Sequence, residues 1–384
     1  MFLISTSQKE GGIMSKKIFL ILSLLLCIFL IGCAPKEMKV SLEDIGMVGI
    51  VAFDYMDEET MELSIAIPQY SQSAEKDTEV FSIKTKLASK GIIDLEALSD
   101  KKITFNQLRV VLIDEEFARK ADVKQTIRHL YRNPQASNKV LIAIVKGISA
   151  KKLLEADYPD KPNINFYLND LLKPSINTAF NPNTNIHDFM YTATNPVIDP
   201  IMAVIERKEE KIEITSVALF KDNQMFDTVT AEEAYIIQNL QERNKIAPLA
   251  INLHQGHGIE RIVFNIVKNK IGIESNGKIN TPKLTISLQL RGTIVEYKGP
   301  RDAKLSTSSG LTEIENDVNK QVEDQIKQLL DRLKKEKVDP IGLSEYFRRY
   351  YKGNWTNKMT EELISKLEVD VKVDTTIIST GTLN

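Results

Sequence analysis

The sequence predicts a multidomain protein of mixed α and β structure: an α/β-like N-terminal unit, then an α+β domain whose antiparallel sheet packs against a long amphipathic helix. Short apolar runs alternate with helical patterns between residues 45 and 155, the order typical of an α/β unit. Two β-rich runs follow at residues 259–273 and 284–297. Apolar residues then recur at steps of three and four from 314 to 333, as on a helix that covers a core.

The composition limits the class of protein. The chain has 384 residues, which suggests two or three domains, and it is 42% hydrophobic and 27% charged. These values are close to globular averages and exclude a mainly disordered chain or a polytopic membrane protein. Its 50 basic and 52 acidic residues nearly balance, so bulk charge argues against nucleic-acid binding. Two cysteines can form neither a disulfide framework nor a four-cysteine zinc site.

The N-terminus has the pattern of an export signal. Lys16 and Lys17 precede residues 18–31, which are apolar except for Ser23. A basic segment before an apolar stretch too short to span a bilayer is typical of a secretory signal peptide. The run ends in LIGCA (residues 30–34), which resembles the bacterial lipobox. A start at Met14 instead of Met1 would place the two lysines at the N-terminus, the usual arrangement of a signal peptide.

The lipobox predicts cleavage before Cys33, so that residues 1–32 form the signal peptide and residues 33–44 a lipidated tether. The resemblance implies that Cys33 is S-diacylglycerylated and N-acylated; the alternative is an ordinary cysteine after a cleavage site. Removal of residues 1–32 takes three lysines, one glutamate and Cys27, which leaves a net charge of −4. We expect no cofactor besides this covalent lipid, which would anchor the chain on the outer face of the cytoplasmic membrane.

Residues 45–211 are predicted to form the N-terminal α/β region, with two subdomains. The signals are a strand at 45–53, its hairpin partner at 61–67, strands at 108–113 and 139–145, and helices capped by Asp122 and Ser149. Residues 157–200 contain six prolines and many asparagines. We interpret them as irregular or short-helical chain that covers a domain edge or joins domains.

Residues 212–384 are predicted to form the C-terminal α+β domain. A strand at 212–220 precedes a helix whose Thr230 and Glu233 fit a capping box, and Thr312 with Glu315 suggests a second box before the long helix. The Asn276-Gly277 pair predicts the turn between the two β-rich runs. Strict alternation at residues 367–373 predicts a last strand with one face in water.

Catalytic motifs are absent from the sequence. It contains no nucleophile elbow, no phosphate-binding glycine loop and no HExxH zinc motif, which favours a non-enzymatic role. His254, His257 and Glu260 form the one cluster that resembles a metal site. The two histidines lie in a glycine-containing stretch that reads as a loop, so we interpret them as structural and expect no metal.

The segment VDPIGLSEYFRRYYKGNW (residues 338–355) follows the long helix and combines basic and aromatic residues. Pro340 should end the helix, and Ser344 could cap a shorter one. In one interpretation these aromatics, including Trp355, close the C-terminal core. In the other, Arg348, Arg349, Tyr350 and Trp355 contribute to a docking patch for a membrane partner, since arginine and aromatic residues are enriched at interface hot spots.

This segment, the lipobox, the strand–acidic turn–strand at 45–67 and the strand and turn at 215–226 resemble the Ger(x)C family of spore germination lipoproteins. The resemblance implies a three-domain mixed α and β protein anchored to the spore inner membrane. It also implies association with two polytopic partners, the A and B receptor subunits, in nutrient-triggered germination. It carries over no catalytic or ligand-binding residue, and whether this subunit contacts the germinant stays open.

Two other classes of function compete with a receptor subunit. A substrate-binding lipoprotein that feeds a transporter usually has two repeated α/β lobes, and this sequence has no repeat and a β-rich second half. A lipid-anchored hydrolase is disfavoured because nucleophile motifs are missing. Ligand binding by the exported region would distinguish a transporter component from a receptor subunit.

Replacement of Cys33 by alanine tests the lipid anchor. We expect Cys33→Ala to abolish metabolic lipid labelling and to release the protein from membranes, because its thiol is the predicted acylation site. Cys27→Ala, in the segment predicted to be removed, is the matched control and should keep the label. Unchanged labelling of Cys33→Ala would contradict the assignment.

Overall fold

The structure is a computed structural model of the whole chain. It describes residue 41 and residues 44–69, 77–161, 163–173, 181–241, 248–255 and 258–380. The chain separates into residues 1–45 and a second unit of residues 46–384, and the fold below is that of the second unit. The predicted signal peptide (1–32), Cys33 and almost all of the tether lie outside the described residues, so these assignments stay predictions.

Among the described residues, the chain up to residue 229 contributes ten strands. They are β1 (Ile45–Met47), β2 (Ile50–Tyr55), β3 (Met61–Pro68), β4 (Thr78–Thr85), β5 (Lys102–Thr104), β6 (Val110–Asp114), β7 (Leu141–Lys146), β8 (Ile201–Lys208), β9 (Lys211–Lys221) and β10 (Gln224–Val229). Eight of them form one mixed sheet in the order β10-β9-β8-β7-β6-β2-β3-β4, and β1 pairs with β5. The central strands β8, β7, β6 and β2 are parallel, and antiparallel strands extend the sheet at both ends.

The described residues of this part of the chain also form six helices: α1 (Ala88–Glu96), α2 (Glu115–Lys120), α3 (Val123–Tyr131), α4 (Ala150–Glu155), α5 (Ile164–Leu172) and α6 (Ile186–Thr194). They cover both faces of the sheet. On β6, Val111 and Ile113 pack with apolar residues of α1, α2, α3 and α6, whereas Val110 and Leu112 pack with those of α4 and α5. Burial on both faces explains why these strands are continuous apolar runs.

Short polar side chains start the helices where the sequence predicts. The Asp122 carboxylate accepts a hydrogen bond from the Gln125 N–H (2.9 Å), and the Ser149 hydroxyl accepts one from the Lys152 N–H (3.2 Å). Within residues 157–200, Asn163 and Asn185 cap α5 and α6 in the same way. The stretch predicted as irregular or short-helical therefore contains two nine-residue helices, each begun by one of its asparagines.

The eight-stranded sheet continues beyond the predicted boundary between residues 211 and 212. β9 begins at Lys211 and pairs antiparallel with β8, and β10 pairs with β9. Residues 212–229 therefore extend the first sheet. Their apolar side chains, such as Val217 and Leu219, pack in the same core as the last third of the chain. The domain limits stay predictions.

The remaining elements follow in chain order. They are α7 (Ala231–Leu240), β11 (Leu249–Gln255), β12 (Gly258–Ser275), β13 (Lys283–Lys298), a 3₁₀ turn (Asp302–Ser306), α8 (Ser308–Glu336), α9 (Glu345–Arg348), α10 (Asn357–Lys366) and β14 (Glu368–Ser379). Strands β11 to β14 form a four-stranded sheet in that order. The prediction of mixed α and β structure is confirmed.

The prediction of an antiparallel C-terminal sheet is wrong for its last strand. β11, β12 and β13 are antiparallel, but β14 pairs parallel with β13 over eleven registered positions. The reason is the connection between them. The chain leaves β13, passes through three helices and returns to the starting end of that strand, and such a crossover produces a parallel pair. The strict alternation at 367–373 indicates which faces are buried, not the direction of the neighbouring strand.

The residue that caps the long helix α8 lies five residues before the predicted cap, Thr312. The Thr307 hydroxyl accepts a hydrogen bond from the Gly310 N–H (3.1 Å) and forms the cap. Thr312 lies inside the helix, where its hydroxyl donates to the Ser308 carbonyl (3.1 Å). The predicted apolar face is confirmed, and its buried residues are Ile314, Val318, Val322, Ile326, Leu329, Leu330 and Leu333.

A second face of α8 covers the outer edge of β14. Three helix side chains, one turn apart, accept hydrogen bonds from alternate backbone N–H groups of this edge strand: Glu315 from Ile377 (2.7 Å), Asn319 from Thr375 (2.8 Å) and Glu323 from Val373 (3.0 Å). An uncovered edge would present these donors to another strand and invite aggregation. The helix therefore both packs on the sheet and occupies three backbone donors of its edge strand.

Asn319→Ala tests this edge contact. The Thr375 N–H, in a buried residue, would lose its acceptor, so we expect the free energy of unfolding to fall by about 1–3 kcal/mol. Asn316→Ala is the matched control, because Asn316 is exposed on the same helix and should change stability much less. Urea unfolding monitored by circular dichroism measures both. Equal losses in the two variants would show that helix propensity, not the edge contact, causes the effect.

Candidate interaction site

The candidate site is built on the turn that follows α8. Helix α8 ends at Glu336, and Lys337 adopts a left-handed conformation (φ 58°) that stops it. The Val338 N–H then donates to the Leu333 carbonyl (3.1 Å), a closure common at helix ends. Asp339 and Pro340 follow immediately, so the predicted end of the helix at this dipeptide is confirmed to within a few residues.

A buried carboxylate organises the turn itself. Asp339 is inaccessible to solvent, and its carboxylate accepts hydrogen bonds from the N–H groups of Gly342 (2.7 Å), Leu343 (2.9 Å) and Ser344 (2.7 Å). Gly342 has φ +84°, a conformation that side chains disfavour. The prediction that Ser344 caps the next helix is wrong, since its side chain makes no capping hydrogen bond and Asp339 supplies the acceptor.

A second carboxylate holds this turn against the segment between α6 and β8. The Asp199 carboxylate accepts a hydrogen bond from the Asp339 N–H (2.6 Å), and the Asp199 N–H donates to the Asp339 carbonyl (2.9 Å). Burial, together with the neighbouring Asp339 carboxylate, raises the pKa of Asp199 to about 7. Burial also raises the pKa of Asp339. The two acids therefore titrate within a contact that joins distant parts of the chain.

Helix α9 divides its side chains between core and surface. Phe347 is fully buried and fixes the helix on the C-terminal core. On the outer side, the Arg349 guanidinium lies 4.7 Å from the centre of the Tyr346 ring, a cation–π contact. The Arg348 guanidinium makes two hydrogen bonds to the Glu345 carboxylate (2.6 and 2.7 Å). Both guanidinium groups are thus positioned at the surface by neighbours within one turn.

Trp355 connects the end of the segment to α10 and to Pro196. Its indole N–H donates to the Thr360 hydroxyl (2.8 Å), which donates to the Pro196 carbonyl. The Tyr351 ring meets the indole edge-on, with ring centres 5.7 Å apart. Phe347 and Trp355 are therefore buried in the C-terminal core, as one of the two interpretations predicts, while Tyr351 lies at the surface.

These contacts leave an open cleft of about 730 Å³ between the segment before β8 and residues 341–355. Its charged and aromatic lining residues are Tyr191, Glu345, Tyr346, Arg348, Arg349, Tyr351 and Trp355. Polar and apolar groups both line this open cleft. Such a surface can bind an extended segment or a loop of a partner through aromatic stacking and charge-assisted hydrogen bonds.

Three of the four residues predicted for docking line this cleft: Arg348, Arg349 and Trp355. Tyr350 lies elsewhere, with its ring against Gly277 of the β12–β13 connection and 64% of its surface exposed. The sequence analysis did not identify Tyr191, which lies on the exposed face of α6. No pattern in residues 157–200 indicates that a helix there lies close to residues 341–355. The docking role itself stays a prediction.

The residues considered for a metal site are arranged differently from the prediction. His254 belongs to β11 instead of a loop, because Ile251 and Leu253 continue the buried alternation up to it. His257 lies outside the described residues. The buried Glu260 carboxylate accepts hydrogen bonds from Arg301 (2.7 Å) and from the Tyr297 hydroxyl (3.1 Å). Within the described part of the chain, no group of three or more acidic, histidine or cysteine side chains could hold a metal ion.

Comparison with protein families identifies the class of this chain. Residues 39–207 match the family model described as "Spore germination protein N-terminal domain". Residues 215–381 match the one described as "Spore germination B3/ GerAC like, C-terminal". Together these matches cover most of the chain, so it belongs to the GerAC, or Ger(x)C, family of spore germination proteins, and the predicted family is confirmed.

Individual relatives agree with this assignment. The chain is 26% identical to spore germination protein GerQC of Bacillus cereus over 94% of its own length and 98% of the relative. It is 24% identical to spore germination protein B3 of Bacillus subtilis (strain 168), over 77% and 81% of the two chains. The crystal structure of the GerBC protein has the same fold, with a TM-score of 0.55 at 18% identity over 85% of this chain and 96% of that one.

Among the residues that the structure describes, no helix combines the length and the apolar character that crossing a bilayer requires. The apolar run at residues 18–31 lies outside the described residues, and its assignment as a signal sequence stays a prediction.

The contact between Asp199 and Asp339 predicts a pH dependence. The folded protein retains the Asp199 proton up to about pH 7, whereas an unfolded chain releases it near pH 4. The free energy of unfolding should therefore fall as the pH rises through this window. The loss from this group is at most about 1.4 kcal/mol per pKa unit of the shift.

Asp199→Asn should keep the acceptor for the Asp339 N–H and reduce the loss of stability between about pH 5 and pH 8. Urea unfolding at both pH values measures the difference. Burial also raises the pKa of Asp54 to about 6, but this contribution is present in both proteins and cancels. An identical pH profile for the variant and the unmodified protein would exclude Asp199 as the titrating group.

Proposed function

We propose that this chain is a non-enzymatic, lipid-anchored subunit of a spore germinant receptor. It acts with polytopic A and B membrane subunits in nutrient-triggered germination, on the outer face of the spore inner membrane. Membership of the spore germination family supports the process, and the names of GerQC and B3 refer to the same process. The lipobox at Cys33 supports the anchor, and the missing catalytic motifs support a non-enzymatic role.

The cleft between residues 191–198 and 341–355 is the proposed docking site for a polytopic partner. The observation that carries this proposal is that Arg348, Arg349 and Tyr351 line one cleft, on a segment whose backbone is fixed by buried contacts. Asp339, Phe347 and Trp355 fix the backbone of that segment. Because the scaffold is fixed, binding a partner would cost little ordering of the arginine-bearing turn.

The partner segment should carry acidic or carbonyl groups for the two guanidinium groups. Arg348 is engaged by Glu345 in an exposed ion pair, and exposed pairs contribute little stability. A carboxylate or main-chain carbonyl of a partner loop could therefore replace Glu345 at small cost. Arg349, stacked on Tyr346, presents its remaining N–H groups to the same occupant. The cleft thereby favours an acidic loop over a basic one.

The fold gives little support to the alternative of a substrate-binding lipoprotein for a transporter. Such proteins usually close two similar α/β lobes around a ligand. Here the described residues form one eight-stranded and one four-stranded sheet of different topology. The two sheets share a hydrophobic core through Val217, Leu219 and residues of α8. A continuous core between the two sheets opposes hinge closure.

Reversal of the two arginine charges tests the docking site. We expect Arg348→Glu/Arg349→Glu to remain folded and membrane-bound but to lose co-purification with the A and B subunits and to lose nutrient-triggered germination. The reason is that like charges would then face the acidic partner loop. Germination assays on spores that carry the variant, together with affinity purification, measure the two losses.

Lys298→Glu/Lys320→Glu is the matched control, since both lysines are exposed on the same half of the chain and the change in net charge is equal. It should germinate normally. A circular dichroism melt of the Arg348/Arg349 variant checks that it folds. Normal germination of a folded Arg348/Arg349 variant, or an equal defect in the control, would exclude a docking role for these arginines.

A further inference from the structure

Helix α1 and its flanks expose large apolar side chains. Leu87 is 64% exposed, Ile93 65% and Leu98 57%, although they lie within twelve residues of one another. The opposite face of the helix buries Gly91 and Leu95, so α1 already has a packed inner side. Its outer side carries Ile93 among the exposed Ser89, Lys90 and Glu96, and Leu87 and Leu98 flank the two ends of the helix. Three large exposed apolar side chains so close in the chain make this segment a candidate interaction surface.

The same stretch of the chain is rich in lysine. Residues 84–102 contain five lysines and three carboxylates, whereas the whole chain has a net charge of −2. Lys86 pairs with Glu59 and Lys90 with Asp94, and both pairs are exposed. Such pairs are weak and exchange readily for other anions. Counted with Glu59, the stretch has five lysines and four carboxylates. It thus combines apolar side chains with a small excess of positive charge, which suits an anionic lipid surface.

The position of the patch in the chain favours a membrane over another occupant. Gly46, thirteen residues after Cys33, lies on β1, which pairs with β5. A Cβ atom at Gly46 would lie 3.4 Å from the Cβ of Lys101, so the chain enters the fold beside the lysines of the patch. Thirteen extended residues span at most about 45 Å. A lipid anchor at Cys33 would therefore keep this surface close to the bilayer.

We propose that the surface formed by Leu87, Ile93, Leu98 and the lysines of residues 84–102 inserts into the anionic bilayer that holds the anchor. The proposal rests on the lipid anchor of the proposed function and extends it. The acyl chains retain the protein, and the patch fixes which side of it faces the lipid. Leu87, Ile93 and Leu98 enter the boundary between headgroups and acyl chains, while the lysines contact phosphates.

A fluorescent probe at position 93 tests this orientation. The full chain, processed in cells, is reconstituted into vesicles of phosphatidylglycerol and phosphatidylcholine. Ile93→Cys is labelled with an environment-sensitive fluorophore, because acylation of Cys33 leaves the mature chain without another thiol. We expect emission at shorter wavelength and quenching by spin-labelled lipids. The same probe in Asn316→Cys, exposed on α8, should stay in water and be quenched by iodide.

The charge contribution has its own readout. In Lys101→Glu/Lys102→Glu the probe at position 93 should shift less, and about 1 M salt, which reduces the Debye length to about 3 Å, should have the same effect. Vesicles of phosphatidylcholine alone should also reduce the shift. These comparisons measure the patch alone, because the acyl chains keep every variant on the vesicles.

Three outcomes would overturn the proposal. An aqueous spectrum at position 93 on anionic vesicles would show that the patch does not insert. A shift that requires co-reconstituted polytopic subunits would assign the patch to a protein partner instead. Equal shifts at positions 93 and 316 would show that the probe, not the patch, binds lipid. Failure of the anchor is distinguishable, since the unsubstituted chain would then take up the label at Cys33.

Discussion

The contact between Asp199 and Asp339 is the constraint on which the rest of the candidate site depends. The buried Asp339 carboxylate accepts hydrogen bonds from three backbone N–H groups and stabilises the turn after α8. The Asp199 carboxylate binds that turn to the segment between α6 and β8. An unpaired buried carboxylate would be costly. The turn is therefore determined by where these acids find donors, and the arginine-bearing helix α9 follows from it.

The sequence predicted most elements but not how they meet. Helix caps at Asp122, Ser149 and Thr230 and the apolar face of α8 are local patterns, and the structure has them. The parallel direction of β14, the continuation of the first sheet through β9 and β10, and the approach of Tyr191 to residues 341–355 depend on contacts between residues far apart in the chain. Periodicity carries no information about such contacts.

The two proposed surfaces have different roles in a membrane-tethered subunit, one in binding a protein partner and one in contacting lipid. The cleft of residues 191–198 and 341–355 is open, polar and arginine-bearing, which suits a protein loop. The surface of α1 and its flanks carries large apolar side chains and lysines, which suits lipid. Arginine forms directed, bidentate hydrogen bonds, whereas lysine acts as a point charge. Arginine in the cleft thus agrees with a protein loop of defined structure, and lysine on the α1 surface agrees with mobile lipid headgroups.

The cover of β14 by α8 has a consequence for how the last strand finds its place. Four residues of helix rise about 6 Å, and two residues of strand rise about 6.6 Å. Glu315, Asn319 and Glu323 can therefore match every second N–H of β14, with helix and strand running in opposite directions. The spacing of these three helix side chains therefore specifies the register of the strand. A slip of one residue would turn the matched donors away, so β14 can settle in its register once α8 is formed.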